Sequence, residues 1–170
     1  MLRMTSLSIV GAAVLAAGLA FTTPDGWRQS AGGSPMRVAE FTLPRADGDA
    51  EDAQLVVYYF GGQGGSVDAN IQRWVGQMQQ ADGKPSSGVA KKQTRTVNGL
   101  TVTLVDVDGT YVAEMALAAG VHHDKPHFRL RAGVVETATG PYFIKLTGPE
   151  KTVAKWDRSF EQFVSSLKFK

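Results

Sequence analysis

The sequence predicts an α+β domain in which a mainly antiparallel β-sheet is packed with two amphipathic helices. Three observations predict it. Most of the chain after residue 36 alternates apolar and polar residues at period two, the spacing of half-buried strands. Asn98-Gly99 and Asp108-Gly109 lie between such segments, and these dipeptides suit the tight hairpin turn that needs positive φ at both central residues. Two stretches switch to helical spacing, one after the second strand and one at the C-terminal end.

Residues 1–20 read as a secretory signal peptide, with a positive start at Arg3, an apolar stretch from Leu7 to Phe21, and small residues at Gly18 and Ala20. The stretch is shorter than the roughly 18 residues of a spanning helix, so cleavage after about Ala20 is expected, with no stable membrane insertion afterwards. An uncleaved anchor and a buried core helix are the competing readings. Residues 21–35, dominated by Gly, Pro, Ser and Thr, read as an extended lead-in with Trp27 as its docking point.

Residues 36–170 then form one domain. Met36 to Leu43 is a strand with Ala39, Phe41 and Leu43 on one side. A polar turn, residues 44–53, leads to QLVVYYF, residues 54–60, which is apolar on both faces and so belongs in the sheet centre. Val67, Ile71, Trp74, Val75 and Met78 give a helical stripe, with Ser66 as N-cap and Asp68 near the positive helix end. After a loop at 81–90, KKQTRTV, LTVTLVDV and TYVAEMA make a three-stranded meander around the two hairpin turns. A polar loop leads to FRLRAGVVET, and Thr139-Gly140-Pro141 joins that strand to YFIKL. One last helix is expected from Pro149 to about Leu167, its apolar stripe formed by Val153, Trp156, Phe160, Phe163, Val164 and Leu167.

The element order, with GPYFIKLTGP running into a terminal helix that ends EQFVSSLKF, resembles the PsbP-like fold, an α/β/α sandwich. That superfamily includes the extrinsic PsbP protein of photosystem II, bacterial envelope proteins and a nuclear Ran-binding relative. More narrowly, SPMRVAEFTLP, YYFGGQGGSVDANIQRWVGQ and GPYFIKLTGPEKTVAKWDRSF are similar to an uncharacterised family of exported bacterial proteins. The resemblance implies a non-enzymatic binding or assembly-support role and transfers no site residue.

Composition narrows the chemistry. In 170 residues there is no Cys, which removes thiol nucleophiles, thiolate metal sites and CxxC redox pairs. With 18 Lys and Arg against 16 Asp and Glu, the net charge of +2 calls for no nucleic-acid partner. The Gly-rich segment Gly61-Gly62-Gln63-Gly64-Gly65-Ser66, between a strand and a helix start, offers backbone N–H groups to an anion or ligand. It matches neither a phosphate loop nor GxGxxG, so a sharp geometric turn is the competing account. His122, His123 and His127 fall together in HHDKPH and could ligate Zn²⁺ or Cu²⁺, or be solvated loop residues. Asp106 and Asp108 read better as part of a hairpin than as a calcium loop or an acid/base pair. Arg129 and Arg131 alternate on one strand face, with Lys145 a possible cross-strand neighbour, giving either a solvated face or a small basic patch. The expected function is an exported, non-enzymatic binding or assembly-support protein, without a cofactor, for an envelope protein or small ligand. The alternative is a small extracytoplasmic hydrolase or metal-handling protein using the His-containing loop and the Gly-rich turn.

Overall fold

The computed structural model describes residues 12–16, 18–115 and 119–170. Arg3 and the first part of the expected signal lie outside them. From there the chain makes strands β1 (Ala13–Ala16) and β2 (Leu19–Thr22), a short β3 (Arg28–Gln29), then β4 (Arg37–Leu43) and β5 (Ala53–Tyr59). Helix α1 (Val67–Val75) follows, capped by Ser66, whose hydroxyl accepts from the Ala69 N–H. Next come β6 (Met78–Gln79), β7 (Lys91–Val97), β8 (Leu100–Tyr111), β9 (Lys125–Thr137) and β10 (Gly140–Pro149). Helices α2 (Glu150–Lys155) and α3 (Asp157–Ser165) and strand β11 (Lys168–Phe169) complete the chain.

Among the described residues the main sheet has the order β3-β4-β5-β10-β9-β8-β6, with β7 also paired to β8 and every pairing antiparallel. The pleat sends alternate residues to opposite faces, so register decides what each face carries. One face presents Phe41, Leu55, Val57, Leu104, Ile144 and Leu146 to α2, α3 and the small sheet β1-β2-β11. Phe163 of α3 is fully buried there against Phe21, Trp27 and Phe41, with ring centres 4.9, 5.3 and 6.5 Å away. The opposite face presents Val105, Val107, Leu130, Ala132, Val134 and Phe143 to Ile71, Trp74 and Val75 of α1. Helices therefore sandwich the sheet. Among the described residues no helix is long and apolar enough to cross a membrane.

Several expectations meet a different arrangement. The apolar segment before residue 23 is extended rather than helical where it is described: β1 pairs with β2, β2 pairs with β11, and Leu19 and Phe21 are buried. Residues 21–35, expected as a lead-in, carry the end of β2, the buried Trp27, and β3 paired to β4. Asp108-Gly109 is not a hairpin turn. Strand β8 runs through it to Tyr111, and the place beside β8 expected for the meander's third strand is taken by β9. Gly109 is required for close approach instead, since a Cβ there would lie 2.7 Å from the Gln79 carbonyl oxygen. The expected single C-terminal helix is broken at Trp156 (φ −102°, ψ 10°), whose indole N–H donates to the Pro44 carbonyl at 2.8 Å. The apolar stripe continues across the break, which is why periodicity alone reads as one helix.

Candidate functional site

Helix α1 covers only part of its face. Where β4, β5, the start of β9 and the second half of β10 run clear of it, side chains from several strands line a cavity of about 310 Å³. Val56, Tyr58 and Phe128 form its apolar and aromatic lining, with Lys145 and Tyr111 beside them, and Arg37, Glu40, Glu51, His123 and Lys125 at its sides. Register places them together: Lys145 stands opposite Val56 on one side and Ala132 on the other, and Glu40 stands opposite Val56 from β4.

Lys145 Nζ donates to Gln77 Oε1 at 2.6 Å and to the Tyr111 hydroxyl at 3.1 Å, and lies 5.3 Å from the Tyr111 ring centre. Both hydrogen-bond partners are neutral. Among the described residues no carboxylate lies within ion-pairing distance of this ammonium. Burial, helped by the nearby Arg73 charge, lowers its pKa to about 8. The other two cations are matched. Arg37 pairs with Glu40 at 3.2 Å and lies over the Tyr58 ring; Lys125 donates to both Glu51 oxygens at 2.8 and 2.9 Å. Burial also raises the Tyr58 and Tyr111 hydroxyls above the ordinary phenol range. His123 stacks on Tyr111, which stacks on Phe128.

Comparison with solved structures identifies the architecture. The solution structure of the cyanobacterial PsbP protein CyanoP from Synechocystis matches with a TM-score of 0.53 at 13% identity, over 99% of this chain and 98% of its own. The fold is PsbP-like. A crystal structure of a Pseudomonas aeruginosa protein of unknown function shares it, with a TM-score of 0.50 at 16% identity over 94% and 96% of the two chains. No family model matches the sequence, and comparison with curated proteins finds none that is similar.

The PsbP-like sheet separates the residues that the sequence singles out. Gly62, Gln63, Gly64, Gly65 and Ser66 lie at the end of β5 beside the β9–β10 turn, and none lines the cavity. Their conformation is closely packed: Gly64 has φ +117° and a Cβ there would lie 2.6 Å from the Phe143 ring. The Asn70 amide donates to the Gly64 and Ser66 carbonyls, both at 2.8 Å, which ties the turn to α1. His122, His123 and His127 sit at the other end of β9. His122 Nδ1 is 3.0 Å from the Val112 carbonyl, His123 reaches the cavity, and His127 holds φ 56° within β9. Among the described residues no group of three or more His, Asp or Glu side chains is placed to hold a metal ion.

Arg129 and Arg131 form neither a solvated face nor a basic patch. Arg129 binds Asp106 and Asp157, and Arg131 binds Asp157 and Glu161, at 2.7 to 3.0 Å, so their charge is neutralised under α3. Lys145 is no neighbour of theirs. It stands opposite Ala132, one residue out of phase with Arg131, and therefore projects from the other face. Reading the sequence for clusters missed Tyr58, Tyr111, Glu40 and Lys125. The one local signal was a lysine inside YFIKL, an otherwise apolar run in a central strand.

Proposed function

We propose that this is an exported, non-enzymatic binding protein whose ligand or partner sits on the part of the sheet face that α1 leaves uncovered. One observation carries the reading: Lys145, a partly buried ammonium without a carboxylate partner among the described residues, lines a cavity with an aromatic floor. A buried charge is expensive unless compensated, and perturbed titratable groups gather where binding is done. The PsbP-like fold supports a binding or assembly role by analogy of architecture. The two elements of a hydrolase reading, the Gly-rich turn and the histidine loop, lie at opposite ends of β9 and do not converge on one centre.

The test is a thermal-shift and NMR ligand panel on the wild type and on Lys145→Met. Ligands that shift resonances of Tyr58, Tyr111 and Lys145, and lose that effect in the variant, support the reading. Turnover of a model ester or glycoside by the purified protein would remove it. Export rests on the N-terminal apolar segment and is checked by fractionation, with the intact mass of the exported form giving the cleavage point. Cleavage after Ala20 would detach Leu19 from the core and divide β2, so that mass also tests whether the small sheet survives processing.

A further inference from the structure

The cavity's charges narrow the ligand further, on the footing of the binding reading above. We infer that the site takes a small organic monocarboxylate, its carboxylate received by Lys145 and its apolar body resting on Val56, Tyr58 and Phe128.

The argument starts from donors. An ammonium has three N–H groups, and two of those on Lys145 are engaged by Gln77 and Tyr111. The Tyr58 hydroxyl makes no hydrogen bond among the described residues, and neither does the His123 ring. Lys145 therefore keeps one N–H without a partner among the described residues, and each acidic group nearby already has a partner of its own. Glu40 is held by Arg37, Glu51 by Lys125, and Asp52 accepts from the Arg45 backbone N–H at 2.8 Å. A ligand acceptor carrying negative charge would supply both the missing hydrogen-bond partner and the missing counter-charge.

The number of charges selects among anions. The lining holds three cations, Arg37, Lys125 and Lys145, and three carboxylates, Glu40, Glu51 and Asp52. The lining is neutral as a whole: Arg37 and Lys125 are paired, and Lys145 and Asp52 are the positive and negative points without an ion-pair partner among the described residues, so there is no positive field. A monoanion placed on Lys145 is matched, whereas a dianionic phosphate would meet three carboxylates close by. The volume, about 310 Å³, is at the lower end of the range for ligand sites and suits a compact acid. Aromatic and aliphatic lining provides for the rest of the molecule.

Calorimetric titration of the full chain with benzoate, isovalerate, benzamide and phenyl phosphate tests this. At pH 7 at least one of the two carboxylates should bind ten times or more tightly than benzamide and phenyl phosphate. In Lys145→Met, with folding checked by circular dichroism, that preference should vanish. In the wild type, carboxylate affinity should fall about tenfold between pH 7 and pH 9, as an ammonium with a pKa of about 8 loses its proton. Tyr58 and Tyr111, both raised above the ordinary value of 10, stay protonated over that window. Equal binding of benzoate and benzamide, a flat pH profile, or unchanged affinity in the variant overturns the inference. Tightest binding by phenyl phosphate at the same residues also overturns it, yet leaves the binding reading standing. If none of the four probes binds at millimolar concentration the inference falls, and the wider ligand panel then decides the binding reading on its own.

Discussion

On the α3 face of the sheet, Arg129 and Arg131 are enclosed by Asp106, Asp157 and Glu161, whereas on the opposite face the hydrogen-bond partners of the Lys145 ammonium among the described residues are the neutral Gln77 and Tyr111. The consequences run in opposite directions. Hydrogen bonds donated to Asp106 raise the Arg129 pKa in spite of its burial, with Asp157 adding to them, while burial lowers that of Lys145. The α3 face is closed by an aromatic cluster and a charge network. Its counterpart is closed by α1 over one part and left open over another. One sheet thus has a face that is completely packed and a face that is packed only in part.

The sharpest way to break this contrast is to empty the closed face. Phe163→Ala removes a fully buried ring that touches Phe21, Trp27 and Phe41, and should destabilise the protein by ~3–5 kcal/mol in urea unfolding. Thr147→Ala, on the open face, should stay within about 0.5 kcal/mol of wild type. Similar costs for the two would mean that the faces do not divide the work.

That division was only partly legible in the sequence. Period-two strands and the α1 stripe depend on residues near one another, so they can be read from local spacing. The Asn98-Gly99 turn was legible for the same reason, and both residues hold positive φ. Gly109 was misread because a glycine needed for contact with Gln79 looks the same as one needed for a turn. Trp156 was expected to lie in a continuous helix; its half-exposed position at a break depends on Pro44 and Gly26, which are remote in sequence. Lys145 was assigned to the wrong face because its neighbours follow from the pairing of β10 with β5 and β9. Alternation within one strand does not give cross-strand register.

The charge network makes the next prediction. Asp157→Ala removes an acceptor shared by Arg129 and Arg131 and should cost about 1.5–3 kcal/mol, the range for hydrogen bonds to charged groups. Glu161 adds an acid-sensitive contribution. Burial is the largest single influence on its carboxyl and pushes the pKa up, but Arg95 and Arg131 together outweigh it and hold the group below 4.5. A carboxylate with a lowered folded-state pKa stabilises the protein above its unfolded value, and that stability is lost as pH falls through the folded one. Glu161→Gln should therefore flatten the decline in stability below about pH 4.5, measured by urea midpoints across an acid series.

Lys145 should respond with the opposite sign. Its folded-state pKa lies below the unfolded 10.5, so the folded protein binds its proton less readily and stability should rise with pH between about 8 and 10.5. In Lys145→Met this rise should be absent, and at pH 7 the variant should equal or exceed wild type by up to about 1 kcal/mol. A variant clearly less stable than wild type at pH 7 would make Lys145 part of the packing, as Arg131 is, and would erase the difference between the faces.

The smallest expected effect uses two adjacent residues. Tyr58 and Tyr59 follow one another on β5 and so project from opposite faces. The Tyr59 hydroxyl donates to the Thr139 carbonyl at 2.9 Å and its ring stacks on Tyr142, whereas the Tyr58 hydroxyl has no hydrogen-bond partner among the described residues. Tyr59→Phe should cost about 0.5–1.5 kcal/mol, the net value of an ordinary hydrogen bond, while Tyr58→Phe should leave stability unchanged within about 0.5 kcal/mol. If Tyr58→Phe nevertheless weakens binding of a carboxylate probe, its hydroxyl serves the ligand rather than the fold. Equal stability losses in the two variants would instead show that Tyr58 is bonded within the protein and that the open face is structural too.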